Sequence, residues 1–259
     1  MKLTALLTTT ALLVSLVPVV AQAQDANLFA RDRNVAVTQR GRPELEALGI
    51  RVGTLMLYPK LQADIGHDSN VLASESGEVS DGFAKLTPSV DLESDWSRHA
   101  LRGSAESTFT RYDELSNENS ETWRLNTSGR IDVQRETQIT GGGEIARLVE
   151  PRTSSNTPQA IADPIEYDAR SFNAGVSHTF NRLRATGRLD VREFDYEDGR
   201  SIGGAVVDQD DRDQTTYEGL ARIDYAISPA TALFGRVLWN DRRFDDPGTA
   251  LTPNRDSSG

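Results

Sequence analysis

Asp95, Ser97 and His99 fall within five positions and are the residue types of a hydrolase triad. In such a site a serine oxygen attacks, a histidine takes its proton, and a carboxylate orients the imidazole. The surrounding sequence, residues 95–112, reads DWSRHALRGSAESTFTRY and lacks the Gly-x-Ser-x-Gly elbow that would expose the serine. Beyond His99 the residue types alternate. Leu101, Gly103, Ala105 and Phe109 interleave with Arg102, Ser104, Glu106, Thr108 and Thr110. That is the period of a β-strand with one apolar and one polar face. Residues 96–99 therefore read as a tight turn feeding a strand, with Trp96 at an interface, and no catalytic residue is assigned.

Other reactive constellations are sparse. The remaining histidines are His67 and His178, and there is no cysteine. No His-Glu-x-x-His or EF-hand spacing occurs. The acids of 208–213 read either as a weak divalent-cation site or, preferably, as a solvated loop. Gly141, Gly142 and Gly143 lie inside a strand pattern with no helix after them. They read as relief of crowding or a bend, not as a phosphate cradle. No cofactor or metal is expected.

The alternation recurs in nine segments: 52–66, 83–94, 100–112, 123–133, 137–148, 167–180, 183–196, 217–227 and 232–244. It is clearest where Trp123, Leu125, Gly129, Ile131 and Val133 alternate with Arg124, Asn126, Ser128, Arg130 and Asp132. In the last segment Phe234 and Leu238 blur it. Globular strands are usually about 5–6 residues long, whereas a tilted membrane strand needs about 9–11. The length favours an all-β, antiparallel outer-membrane β-barrel. With the apolar side toward lipid, Arg102, Glu106, Arg124, Arg130, Glu144, Arg184, Arg188, Arg192, Glu218, Arg222 and Arg236 would line the lumen. Their excess of arginine implies ion-pair ladders across the interior, with a modest bias toward anions, or else a strongly selective pore. Aromatic residues near the strand ends (Tyr58, Trp96, Tyr112, Trp123, Tyr167, Phe180, Tyr217, Trp239 and Phe244) read as interface girdles. Ordinary strand propensity would also place them there.

The connections alternate in length. Short turns near 96–99, 135–136, 181–182 and 228–230 separate long segments at 67–82, 113–122, 149–168 and 195–215, and a last long segment is 241–259. Short turns on one side and long loops on the other are what an outer-membrane barrel has. The long segments hold 23 of the 39 acids and 6 of the 28 bases, against 16 acids and 22 bases elsewhere. The loops are therefore strongly acidic and the strands carry the bases. The overall acidity, net −11, excludes a typical nucleic-acid binder.

Lys2, the apolar run 3–20 broken by Pro18, and Ala21-Gln22-Ala23 form a secretory signal over 1–23. Residues 24–48 read as a periplasmic lead-in, with a short helix at 43–48, before a barrel over 49–259. A hydrophobic content of 37% is low for a globular core, but a barrel needs only one apolar side per strand. Nine strands is an odd count, and the sequence ends TPNRDSSG in a loop. Both features lead us to expect an incomplete barrel, the N-terminal part of a longer chain.

Gly49, Arg51, Gly53 and Pro59, then Asp68 and Asn70, then Leu86, Pro88 and Ser94-Asp95-Trp96-Ser97, resemble the motifs of the bacterial family called putative beta-barrel porin 2. Residues 167–183 look like a later hairpin of the same family, and His67 stands where an aromatic residue is more usual. The resemblance implies a porin-like outer-membrane channel, or an accessory to exopolysaccharide or capsule export, and no enzyme. The alternative is a non-conducting structural barrel that acts through its acidic extracellular loops. Expected partners are outer-membrane lipid and lipopolysaccharide, the barrel assembly machinery and polysaccharide-export components, with no nucleic acid.

Overall fold

The computed structural model describes residues 47–154, 161–228, 231–246 and 255–259. The expected signal (1–23), nearly all of the lead-in and most of the helix at 43–48 lie outside these residues. Residues 47 and 48, at its C-terminal end, carry no helix.

The strands are β1 (Ile50–Val52), β2 (Leu55–Asp68), β3 (Asp81–Ser94), β4 (Ala100–Tyr112), β5 (Ser120–Gln134), β6 (Thr137–Val149), β7 (Glu166–Phe180), β8 (Leu183–Tyr196), β9 (Gly199–Arg200), β10 (Val206–Val207), β11 (Gln214–Ser228), β12 (Thr231–Phe244) and β13 (Ser257–Ser258). All but β9 and β10 form one 11-stranded antiparallel sheet in chain order. Strands β9 and β10 make a small hairpin inside the loop between β8 and β11. The sheet is open, since its outermost strands do not bond to each other. The all-β antiparallel expectation holds, and all nine expected strands are present with ends within three residues.

Four short strands, β1, β9, β10 and β13, were not anticipated. The segment expected to begin at 52 starts at Leu55, and Ile50–Val52 folds back on it. Gly53, at φ +63°, makes this two-residue reversal possible. Another two-residue turn, Asn181-Arg182, places Asn181 at φ +51°. Asparagine tolerates that left-handed conformation better than most side chains.

The register carries one face through the whole sheet. Leu57 pairs with Leu92, Val90 with Ala105, Leu125 with Ile145, Phe172 with Val191, and Ala221 with Val237. This apolar face is not covered by protein: Leu61, Ile65, Leu189 and Val237 are 60–92% exposed. Among the described residues, the buried hydrophobic side chains are Val71, Ala146, Ile161 and Ile165, and three of these four lie in loops. A soluble protein rarely leaves so large an apolar surface open, whereas a lipid-facing strand surface requires it. Among the described residues no helix is long and apolar enough to cross a membrane.

The glycine triplet relieves crowding. A Cβ on Gly142 would sit 2.7 Å from the Thr127 carbonyl oxygen and 3.3 Å from the Ser128 Cα. Gly235, by contrast, has open space around it. Gly142→Ala is expected to destabilise the detergent-solubilised protein by about 1–3 kcal/mol. Gly235→Ala should be neutral or slightly stabilising, because it removes glycine's backbone entropy without a clash. Urea unfolding of the two variants tests this, and equal behaviour would refute the steric account.

Candidate functional site

The apparent triad is dismantled by its partners. The Asp95 carboxylate is held by the Arg51 guanidinium at 2.8 Å. His99 Nδ1 accepts the backbone N–H of Asp132 at 3.2 Å, beside the β-bulge that separates Asp132 from Gln134. In a triad that nitrogen would donate to the acid. Trp96 Nε1 donates to the Thr54 hydroxyl at 2.9 Å, which joins the β3–β4 turn to the β1–β2 turn. These side chains organise the short-turn end of the sheet.

The second candidate is the polar face. Period 2 places Arg102 and Glu106 on one side of β4, Arg124 and Arg130 of β5, Glu144 of β6, and Arg184, Arg188 and Arg192 of β8. Cross-strand pairs tie these positions together and extend them to Glu218, Arg222 and Arg236. Glu106 stands opposite Arg124, Asp190 opposite Glu218, and Arg222 opposite Arg236. All eleven sequence candidates share this face.

Most of their charges are neutralised locally. Four pairs link adjacent strands: Lys60–Asp91 at 2.6 Å, Arg102–Glu93 at 3.3 Å, Arg124–Glu144 at 3.7 Å and Arg192–Glu218 at 3.5 Å. Three others run along a single strand: Arg130–Asp132 at 3.2 Å, Arg188–Asp190 at 2.7 Å and Arg222–Asp224 at 2.6 Å. Each of the latter is an Arg-(Ile or Leu)-Asp tripeptide. Its ends fall on the same side of the strand, so the aspartate lies within reach of the guanidinium. This motif is legible in the sequence, and its pairs run along one strand rather than between strands. Arg184 and Arg236 have Thr186 and Leu238 two positions on. Among the described residues, no carboxylate lies within 4.0 Å of either.

The expected aromatic girdle divides between the faces. Trp123, Phe180, Tyr217 and Trp239 share the apolar side, while Tyr58, Tyr112, Tyr167 and Phe244 fall on the polar side. Toward the long loops, rings on the polar side pair up. Phe83 lies 5.9 Å from Tyr112, and Tyr167 stacks on Tyr196 at 5.0 Å.

Three long loops are tied to one another, and one of them to a ring. Arg152, at 12% side-chain exposure, donates to the Glu118 carboxylate at 2.5 Å and to the Ile161 and Ala162 carbonyls at 3.0 and 3.1 Å. Arg212 donates to both oxygens of buried Glu150 at 2.7 and 2.9 Å and lies 3.9 Å above the Tyr196 ring. Ile161 and Ile165 pack against Gly199, where a Cβ would come within 2.8 Å of Ile161. The Asp81 carboxylate accepts the backbone N–H groups of Glu114 and Leu115 at 3.0 and 2.8 Å. The acidic loops are thus cross-tied, with Glu118 and Glu150 spent on structure. Sequence reasoning missed this because the partners lie 34 and 62 positions apart.

Within 208–213, Asp208 and Asp210 meet Asp198, with ligand atoms all within 4.8 Å of one another and all three residues exposed. Buried Gln209 is not directed at the cluster. It donates to the Asp208 carbonyl at 2.9 Å and accepts from Arg212 at 2.8 Å. Repulsion from Asp208, followed by desolvation and the charge of Asp198, raises the Asp210 pKa above its ordinary value.

The model of one family, described as putative beta-barrel porin 2, matches residues 42–259. No curated protein and no solved structure matches the chain.

Two variants test the loop architecture. Arg152→Ala leaves Glu118 buried without its cation and is expected to weaken the local fold by about 3–5 kcal/mol. Amide exchange in 113–119 and 150–154 should accelerate while the strands stay protected; unchanged exchange would refute the tie. For Asp210 the raised pKa means that ionisation destabilises the folded loop. The penalty is present at neutral pH and disappears as pH falls through the folded pKa. Asp210→Asn should therefore raise the melting temperature at pH 7, with the gain vanishing below about pH 4. A gain that persists in acid would refute the repulsion.

Proposed function

The chain belongs to the putative beta-barrel porin 2 family, and on that premise we propose that it is an outer-membrane barrel whose polar face lines a water-filled passage. One observation carries the reading. The exposed face that lipid would cover and the charged face that water would cover keep their sides through every long strand. In this reading Arg102, Glu106, Arg124, Arg130, Glu144, Arg184, Arg188, Arg192, Glu218, Arg222 and Arg236 face the lumen. Most of these charges are paired; among the described residues Arg184, Arg236 and Glu106 make no ion pair, and the modest anion preference rests on the two arginines outnumbering the one acid. Residues 1–23 serve as the export signal and 24–48 stay in the periplasm. The cross-tied loops then form the extracellular rim. The role is passage of polar solutes, or accessory service in polysaccharide export, and not catalysis.

A second reading has its own support. The two nearly buried Arg–Glu pairs hold the loops as one ordered assembly on the side of the polar-face rings. A non-conducting barrel that presents these loops to a surface partner would need that order.

Planar-bilayer recording separates the two. The channel reading expects conductance with a weak preference for chloride in a KCl gradient. The double substitution Arg184→Gln/Arg236→Gln should move the reversal potential toward that of potassium. Absence of conductance at any salt concentration removes the channel reading and leaves the second.

A further inference from the structure

Phe234 and Leu238, which blur the alternation of the last long strand, sit on the polar face. They are 61% and 58% exposed. Phe234 stands opposite Asp224, and Leu238 opposite Leu220. Between those two cross-strand pairs lies the pair Arg222–Arg236. Like charges placed directly opposite on antiparallel strands repel and cost stability. Asp224 compensates only one of them. It takes both Nε and Nη2 of Arg222, at 2.6–3.0 Å, and so is occupied. Arg184 stands opposite Asp224 from the other side, on β8, and among the described residues it makes no ion pair within 4.0 Å. Three arginines thus stand at neighbouring cross-strand positions with one aspartate, a net charge of +2 over these four groups. The Arg222 guanidinium lies 4.4 Å from the centroid of the Phe234 ring, which holds it beside that ring.

We propose that Arg184, Arg236 and the adjoining Phe234–Leu238 surface bind an amphipathic carboxylate, its anionic head between the guanidiniums and its apolar body against Phe234, Leu220 and Leu238. The two unpaired cations select the head. An anion there relieves the Arg222–Arg236 repulsion and satisfies planar donors that match a carboxylate in a bidentate manner. The exposed apolar side chains select the body, because Phe234 and Leu238 flank Arg236 on the same side of β12, with Leu220 opposite Leu238. A simple inorganic anion would use the first feature and leave the second wet. A neutral apolar solute would do the reverse. Because the assignment of this face to the lumen belongs to the channel reading, the inference rests on that reading for its access route, though not for the chemistry of the site.

Equilibrium binding to the purified full chain in detergent micelles, followed by calorimetry, tests this independently of conductance. The probe is benzoate, with inorganic phosphate and benzyl alcohol as the charge-only and ring-only arms. Benzoate is expected to bind saturably at one site per chain, with the other two at least about tenfold weaker. Arg184→Gln/Arg236→Gln should weaken benzoate about tenfold or more, and Phe234→Ser about fivefold. Neither removes an ion pair, so folding should be retained, as checked by the circular dichroism of the strands. Arg102→Gln, on the same face but paired elsewhere, should leave binding unchanged. Three results overturn the proposal: no saturable benzoate binding, phosphate binding as tightly as benzoate, or equal losses from Arg102→Gln and the double variant. Dimerisation through Phe234 and Leu238, seen as a doubled mass that Phe234→Ser abolishes while benzoate fails to bind, would assign the patch to a second copy instead. Binding without conductance would retain the site and remove the channel.

Discussion

The structure depends on one constraint, that every long strand must find its backbone partners in its neighbours along the chain. From β2 to β12 the ladder is unbroken in direction, with bulges only near short turns. In hydrocarbon this is obligatory, because an unpaired peptide group there costs several kcal/mol. It also fixes the side chains. A ladder with period 2 and no slip leaves each residue on one face, so a single run of misplaced register would invert both surfaces. The ends of the strands show what protects the register. Gly53 and Asn181 take left-handed backbone conformations at two of the tightest reversals. His99 caps the amide freed at one bulge.

Once the faces are fixed, charge becomes the next problem. Arginines standing in rows on one side of a sheet repel unless each finds an acid nearby. The chain solves this twice over, and over short distances. On the strands, an aspartate two positions after an arginine, or an acid on the next strand, closes the pair. In the loops, where strand periodicity is lost, Arg152 and Arg212 are drawn into near-complete burial against Glu118 and Glu150. Such buried pairs contribute little net stability compared with a hydrophobic contact of the same size, but they are intolerant of rearrangement. They therefore define one loop geometry rather than deepen its minimum. The acids left over, Asp198, Asp208 and Asp210, crowd together at the exposed surface and retain their mutual repulsion.

Much of this is legible in the sequence, for a physical reason. Period-2 alternation is a local signal, and a meander joins only neighbours, so local signals suffice to order the sheet. The hairpin at Gly53 is not legible in the same way, because three residues are too few to establish a period. The positions of the aromatic residues along the strands are readable, but proximity to an end says nothing about which face a ring occupies. Counting parity for Tyr112, Tyr167 and Phe244 places them with the polar side chains. The Arg-(Ile or Leu)-Asp tripeptides are equally open to reading. The loop ties are not, since nothing in the sequence near Arg152 points to Glu118.

The exceptions to a strong pattern carry the most information about use. Alternation accounts for nearly all the long-strand residues through hydrogen bonding and surface matching alone, so conformity indicates only that the sheet forms. Phe234 and Leu238 break the pattern without helping the ladder, and their backbone pairing would be equally well served by serine or threonine. Arg184 and Arg236 break the second pattern, local charge pairing, within the same few pairs of strands. Two independent departures from what the fold requires coincide at one place, and each supplies what the other lacks for recognition. The apolar side chains offer contact area without direction, and the unpaired guanidiniums offer direction without area. Neither departure follows from the needs of the sheet, which is why the polar face is better understood as a surface with a local preference than as a uniform wall.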